Sequence, residues 1–217
     1  MNGNGNSEFA VERERMVEHQ LRRRGIRDER VLHAMARIPR HRFVPAQFWH
    51  ESYDDHPLPI AEEQTISQPF IIAISLQALS LNGTESVLEV GTGSGYQTAL
   101  LSLLAGQVYS IERHAVLANT AEAALRDLHL NNVKITVGDG SCGWPEFAPY
   151  DGILVSAAAP TLPRSLVDQL ADGGRMVIPV GSPEVQQLQL LRKTGDSTAA
   201  EIIEGCRFVP LIGAEGF

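Results

Sequence analysis

The sequence predicts an α/β fold: a doubly wound, Rossmann-like sheet, mostly parallel with an antiparallel edge, preceded by N-terminal helices. Three observations carry this. From Ser86 onward short β-rich runs alternate with helical stretches, the pattern of successive βαβ crossovers that cover a parallel sheet on both faces. The first of those runs, Val87 to Val90, leads straight into a glycine-rich turn and then a helix. The last two β candidates, Gln187 to Arg192 and Ile202 to Val209, follow one another with no helix between, so they should close one edge as an antiparallel pair.

Along the chain, 1–7 (MNGNGNS) is polar and glycine-rich and is expected to be a disordered tail outside the core. From Glu8 to Arg24, Phe9, Val17 and Leu21 recur among charges at helical intervals and Gly25 follows as a stop, which predicts a surface helix. Asp28 reads as the N-cap of a second helix through Met35, closed by Pro39. The proline-rich, polar segment Pro57 to Pro69 reads as an extended loop. Phe70 to Leu81 is apolar at helical period and ends at the turn signal Asn82-Gly83. Beyond Ser86, strands are expected at Val87–Val90, Val108–Ile111, Val133–Val137, Gly152–Val155 and Arg175–Val180, and helices at Tyr96–Leu104, Ala115–Leu128 and Arg164–Leu170. The expected organisation is one domain over 8–217, with a helical, loop-rich part at 8–83 and an α/β core at 84–217.

Composition narrows the function. With 217 residues, 43% hydrophobic and 20% charged, the chain has the makings of an ordinary globular core. A net charge of −8 and a pI near 5.3 argue against a nucleic-acid partner, since phosphate backbones are met by concentrated basic surface. The cluster Arg22, Arg23, Arg24, Arg27 and Arg30 has helical spacing and reads as a solvated face. Cys142 and Cys206 stand in unrelated contexts without metal-ligand spacing, so neither a disulfide framework nor a zinc site is expected. No run of about 18 apolar residues and no signal-peptide pattern is present, so a cytoplasmic enzyme without a membrane partner is expected.

The strand-to-helix turn Val87-Leu-Glu-Val-Gly-Thr-Gly-Ser-Gly-Tyr96 is where a ligand is expected. Gly91, Gly93 and Gly95, with Ser94 between, let backbone approach a ligand closely, and open sheets bind at the carboxyl ends of their strands. A dinucleotide fingerprint would be G-x-G-x-x-G, whereas this turn is G-x-G-x-G with Tyr96 where the last glycine should stand. Glu89 near the strand end would hold the cationic amino group of a methionine moiety and repel a pyrophosphate. Both details favour S-adenosylmethionine over NAD. Glu112, 21 positions after Gly91, ends the next strand, where a carboxylate accepts from both ribose hydroxyls. Asp139-Gly140 follows the third strand, where the aspartate would accept from an adenine amino group and the glycine admit the ring; a plain turn explains that pair too.

These residues, with others, resemble the protein-L-isoaspartate O-methyltransferase family in its bacterial form. The resemblance runs from about Glu12 to Leu211 and rests on Arg42-Phe-Val, Leu58-Pro-Ile, Thr65-Ile-Ser-Gln-Pro69, the glycine turn through Thr98, Ser110-Ile-Glu-Arg113, Gly138-Asp-Gly140, Ala148-Pro-Tyr-Asp151, Ile178-Pro-Val-Gly181 and Arg207-Phe-Val-Pro-Leu211. The glycine turn marks methyltransferases in general; Thr65 to Pro69 is the specific signature. The resemblance implies methyl transfer from S-adenosylmethionine to the free carboxylate of L-isoaspartyl residues in damaged proteins and peptides, with S-adenosylhomocysteine as product. The ester then loses its alcohol to the neighbouring backbone nitrogen, and the resulting succinimide reopens partly to aspartate. It also implies Ser67 as the active-site residue and Gln64, Thr65, Ile66 and Ser67 as lining the cofactor, although Ser67 also fits as a cap for the helix near Pro69. A carboxylate with a pKa near 4 is ionised at neutral pH, so no general base and no metal is expected, and the seven histidines read as surface or packing residues.

One stretch departs from the family: Ala61-Glu62-Glu63 stands where small or neutral residues are usual, and these carboxylates are expected to face solvent. Asn2-Gly3 and Asn4-Gly5 are the dipeptide most prone to cyclise, so the tail is a candidate self-substrate. A monomer is expected. The alternatives are a methyltransferase of the same fold acting on a small molecule or RNA, a nicotinamide-dependent oxidoreductase, and a catalytically dead binding module.

Overall fold

The computed structural model describes residues 9–217; the tail at 1–7, with its two Asn-Gly pairs, lies outside them. Helix α1 (Ala10–Arg15) continues through a wider i→i+5 turn over Met16–Leu21 and a tight turn over Arg22–Arg24, and Gly25, at φ 99°, ends it. The wide turn places Met16 and Leu21 on one buried side with Val17, so this element is part of the core and not a surface helix. The arginines at its end are exposed or half-exposed, as a solvated face should be, but several of them are paired. Arg22 pairs with Glu18 and Glu29, Arg24 pairs with Asp55 and lies 3.5 Å over the Phe70 ring, and Arg30 donates to the carbonyls of Leu81 and Leu104. Helix α2 (Glu29–Arg37) starts where expected, the Asp28 carboxylate accepting from the N–H groups of Arg30 and Val31.

The expected loop at 57–69 contains a small antiparallel hairpin, β1 (Leu58–Pro59) with β2 (Thr65–Ile66). Its tip is a tight turn in which Gln64 N donates to Ala61 O at 3.1 Å, with Glu62 and Glu63 at φ 57° and 56°. Two successive left-handed residues make this a type I′-like turn, a shape that favours Asn-Gly; glutamates there cost about 1–2 kcal/mol each. Helix α3 (Pro69–Leu79) follows, and its first turn is capped from outside: Asp55 accepts from Phe70 N at 3.1 Å and from Gln68 Nε2 at 2.7 Å. Ser67 is therefore not its cap.

The sheet has seven strands, β3 (Ser86–Val90), β4 (Gln107–Glu112), β5 (Val133–Val137), β6 (Tyr150–Val155), β7 (Leu170–Gly181), β8 (Gln186–Thr194) and β9 (Ser197–Cys206), in the order β5-β4-β3-β6-β7-β8-β9. The first five run parallel and the last two antiparallel. Helices α4 (Tyr96–Leu104), α5 (Ala115–Asp127) and α6 (Arg164–Asp168) fill three of the four crossovers, and β5 reaches β6 through two tight turns, Gly140–Cys142 and Pro145–Phe147. Period-two alternation divides the core. Val87, Val108, Leu154 and Val177 pack with α3, α4 and the N-terminal helices, whereas Leu88, Val90, Ile153, Val155, Met176 and Ile178 pack with Leu166 and Leu211 on the other face.

The edge differs from expectation in one place. Strand β9 begins at Ser197 and ends at Cys206, because Gly195, at φ 57°, and Asp196 form a two-residue turn that pairs Thr194 with Ser197. Almost every residue of β9 is exposed, so no alternation marked it in the sequence. Past Cys206 the chain leaves the edge and crosses to the segment that follows β6, where Ala158 N donates to Val209 O at 2.8 Å and Leu211 N to Ala158 O at 2.7 Å. No described helix is long and apolar enough to cross a membrane.

Candidate active site

A cleft of about 800 Å³, counting its open mouth, lies at the carboxyl ends of β3, β4 and β6. Its floor is the β3–α4 turn. Gly91, Gly93 and Gly95 all have positive φ, at 93°, 54° and 86°, and Ser156 N ties β6 to this floor by donating to Val90 O at 2.8 Å. Gly91, Gly93 and Ser94 line the cleft. Gly95 does not: a side chain there would meet Ala121 Cβ at 2.9 Å, so this glycine lets α4 pack close to α5.

Glu112 lines the cleft and organises it. One carboxylate oxygen accepts from Gly93 N at 2.8 Å and the other from His114 N at 3.0 Å, fixing the glycine turn and the start of α5 together. Each oxygen keeps a further lone pair. Gly140 also lines the cleft, over Val90. Asp139 is outside the lining. Its oxygens accept from Ser141 N at 2.9 Å, Ser141 Oγ at 2.7 Å and Ala214 N at 2.8 Å, so it pins the C-terminal segment, and the structure gives no support to the expected contact with an adenine amino group.

Glu89 is likewise below the floor. It is 0% exposed, and its carboxylate accepts from Thr98 Oγ1 and Ser110 Oγ at 2.6 Å each and from Gln97 Nε2 at 3.2 Å. Gln97, which also donates to Ser156 Oγ at 2.6 Å, stands between it and the cleft, so direct contact with a methionine amino group is not what this arrangement provides. Burial pushes the Glu89 carboxyl up to about 7, against the pull of its Ser110, Thr98 and Gln97 hydrogen bonds.

The hairpin supplies the roof. Gln64, Thr65, Ile66 and Ser67 all line the cleft, and Ile60 reaches across to within 3.7 Å of the side-chain position at Gly93. Thr65 and Ser67 also border a second groove with Gln68, Ile71, Ser156, Arg207 and Phe208, so the two cavities meet at Ser67 and Ser156. Ser67 is held by a residue that no motif flagged. Arg40, fully buried, donates from Nη2 to Ser67 O at 2.9 Å and from Nε to Ser52 O at 2.8 Å, and its guanidinium lies 5.1 Å from the Tyr96 ring. Burial pulls its pKa down to about 10, which leaves it charged at neutral pH.

Other lining residues were missed for identifiable reasons. Thr92, Gln97 and Arg113 lie inside the motifs of the resemblance but were not singled out there, His114 and Ser156 carry no pattern of their own, and Val209 to Ile212 reach the cleft only through the crossing of the C-terminal segment. His114 departs from a plain surface or packing role: its ring lines the rim and its Nδ1 is 3.4 Å from Glu62. His41 is a packing residue, buried against Tyr53 Oη at 2.8 Å and held down to about 4 by burial and by Arg13 and Arg42. Among the described residues no group of three or more His, Cys, Asp or Glu is placed to hold a metal.

A parallel sheet switching direction at β3/β6, a glycine turn bonded to the carboxylate that ends β4, and an antiparallel edge define a Rossmann-like methyltransferase fold. The family model for protein-L-isoaspartate(D-aspartate) O-methyltransferase matches residues 11–216. A protein-L-isoaspartate O-methyltransferase from Koribacter versatilis is 55% identical over 209 residues, covering 96% of this chain and 94% of its own. Among solved structures, a protein-L-isoaspartate O-methyltransferase superposes with a TM-score of 0.83 at 29% identity, covering 94% of this chain and 67% of the other. A Plasmodium falciparum protein described as a protein-L-isoaspartate O-methyltransferase, in complex with S-adenosyl-L-homocysteine, gives 0.78 at 26% identity, covering 92% and 98%. This chain belongs to the protein-L-isoaspartate(D-aspartate) O-methyltransferase family.

Proposed function

We propose that the chain transfers a methyl group from S-adenosylmethionine to the free carboxylate of L-isoaspartyl residues in damaged proteins and peptides, starting their repair through a succinimide. The meeting of two cavities at Ser67 supports this reading: one has a lining that suits a nucleoside, and the other is bordered by Thr65, Gln68 and Arg207. The cleft suits the cofactor chemically. Glu112 offers carboxylate lone pairs to a ribose diol, Val90, Ile111 and Leu211 offer apolar surface to a ring, and the backbone at Gly91 and Gly93 leaves room for close approach. When bound, S-adenosylmethionine supplies an electrophilic methyl on a sulfonium.

The chain's part is alignment. An isoaspartyl carboxylate is already a nucleophile at neutral pH, so the residues need only orient one oxygen, strip its water and hold it in line, effects that positioning makes worth several kcal/mol. Ser67 is the proposed donor that orients the acceptor, with Gln64 to Ile66 closing over the cofactor. Arg207 is the proposed cationic side of the acceptor groove. The expectation of a cytoplasmic monomer without a nucleic-acid partner belongs to the same proposal. Calorimetry tests the cofactor half: S-adenosylhomocysteine should bind and NAD should not, and tight NAD binding would overturn it. Ser67→Ala should bind S-adenosylhomocysteine within a few-fold of the parent and lose most methylation of isoaspartyl peptide.

Glu89 should make cofactor binding pH-dependent. Its folded pKa lies above the ordinary carboxyl value, so between about pH 5 and about pH 7 the folded chain holds a proton that the unfolded chain has lost, and stability falls as pH rises. A cationic ligand above Gln97 favours the ionised form. Affinity for S-adenosylmethionine should therefore rise several-fold over that window. Glu89→Gln should flatten it, because the amide oxygen still accepts from Gln97 while its two N–H groups meet Thr98 and Ser110. An unchanged slope in the variant would assign the titration elsewhere.

Glu62 and Glu63 are both exposed, although Glu62 leans to the rim at His114. Replacing both by Gln should leave turnover within a few-fold. A large fall in KM for an isoaspartyl peptide would show instead that these charges repel the acceptor.

A further inference from the structure

The turn that delivers the chain into β3 contains Asn82-Gly83, with Asn82 exposed and Gly83 at φ 107°. Asn-Gly is chemically fragile, because glycine has no side chain to obstruct attack of its backbone nitrogen on the asparagine Cγ. That reaction needs three things: the Gly83 N–H must lose its proton, its nitrogen must swing onto Cγ, and the Asn82 side chain must turn to meet it. Each is opposed here.

Glu85 holds the nitrogen. Its carboxylate accepts from Gly83 N at 2.9 Å, Asn82 N at 2.8 Å and Thr84 N at 3.0 Å. A carboxylate on the N–H disfavours the amide anion, and the nitrogen must leave that carboxylate to attack Cγ. The side chain is held separately, Asn82 Oδ1 accepting from Thr84 Oγ1 at 2.7 Å and Thr84 N at 3.2 Å. The turn is also clamped from both ends: Arg30 Nη1 donates to Leu81 O at 2.5 Å, and Glu85 O accepts from Gly106 N at 3.0 Å and Gln107 N at 3.1 Å. Burial works to raise the Glu85 pKa, yet the surrounding backbone N–H groups hold it below the usual carboxylate range, so the guard is ionised at neutral pH.

We propose that Asn82 is a latent modification site, a precursor of this enzyme's own substrate, kept intact by the Glu85 carboxylate. When the turn opens, the deprotonated Gly83 nitrogen bonds to Cγ, the Cγ–Nδ2 bond breaks and ammonia leaves, forming a succinimide. Water opens the ring at Cγ to give aspartate, or at the main-chain carbonyl to give isoaspartate. The isoaspartyl form has a free α-carboxylate, which takes the sulfonium methyl from S-adenosylmethionine in a second enzyme molecule and releases S-adenosylhomocysteine; this last step rests on the proposed activity. The consequence is local to function, since an added main-chain carbon at position 82 displaces the strand whose far end is the glycine turn.

The test incubates folded parent, folded Glu85→Ala and Glu85→Gln, and urea-unfolded parent at physiological temperature, then reads deamidation at Asn82 by mass after digestion. Asn82 in the folded parent should deamidate at least about tenfold more slowly than in the unfolded chain, as expected when a charge-assisted hydrogen bond must break first. Glu85→Ala should recover most of that difference and Glu85→Gln part of it. Equal rates in folded and unfolded parent would overturn the proposal, a comparison that needs no variant to fold. So would a folded Glu85→Ala that keeps the parent's rate. Aged Glu85→Ala is then given to fresh parent enzyme with labelled S-adenosylmethionine. Label on the peptide containing residue 82 supports the self-substrate step. Confirmed isoaspartate there without label, while a reference isoaspartyl peptide is methylated, overturns that step alone; failure on both overturns the activity.

Discussion

Glu112→Ala should weaken S-adenosylmethionine binding by about a hundredfold or more, the largest loss of affinity expected from any single change in the cleft. Three functions end together. The carboxylate fixes Gly93 N and His114 N, both charge-assisted bonds worth about 1.5–3 kcal/mol, and it is the acceptor proposed for the ribose hydroxyls. Without it the glycine turn and the first turn of α5 lose their common anchor, so the ligand meets a floor that is no longer organised. Glu112→Gln should fall between, since an amide keeps one acceptor but turns an N–H donor toward a second N–H. Calorimetry with S-adenosylhomocysteine reads both, and affinity within threefold of the parent for the alanine variant would remove Glu112 from the site.

Arg40→Met should cut kcat more than tenfold while leaving the fold nearly as stable as before. A lone buried guanidinium costs several kcal/mol of desolvation, and its removal returns much of that. Against this gain, Ser52 O and Ser67 O lose their donors, at about 1–3 kcal/mol each. The two effects are of similar size, so thermal stability should move little. Activity has no such compensation, because Arg40 fixes the backbone of Ser67 from below while lying against Tyr96 at the start of α4, and so couples the roof of the cleft to its floor. The diagnostic is the split. A fall in stability with unchanged kcat in the molecules that remain folded would make Arg40 a purely structural residue.

Much of the fold was legible because its signals are local. Asp28 followed by Val31, Leu32 and Met35, and the apolar runs from Val87, Val108 and Gly152, specify a capped helix and buried strands with no help from distant residues. Strand β9, expected at Ile202 to Val209, lies earlier because an exposed edge strand needs no apolar alternation, and the end of that expected run leaves the edge to meet the segment that follows β6. The site divides along the same line. Gly91, Gly93, Ser94, Glu112 and Gly140 come together at the cleft, their order along strand ends being enough to place them, and Gln64 to Ser67, expected there from the family resemblance alone, join them from the hairpin. Glu89 and Asp139 are of the expected type at the expected positions, but which way a carboxylate turns is set by partners far off in sequence: Ser110 for one, Ala214 for the other. Arg40 reaches the site only through tertiary packing, whereas Gln97 and His114 are close in sequence to the glycine turn and to Glu112 but carry no periodicity that marks them.

The central claim is that the cleft presents an electrophilic methyl to a carboxylate arriving at Ser67. It is tested most directly by mixing the enzyme with S-adenosylmethionine and two peptides identical except for aspartate or isoaspartate at one position, then measuring base-labile methyl ester. Ester should accumulate on the isoaspartyl peptide and stay near background on its aspartyl twin. Equal labelling of both, or none on either with the cofactor demonstrably bound, would contradict it.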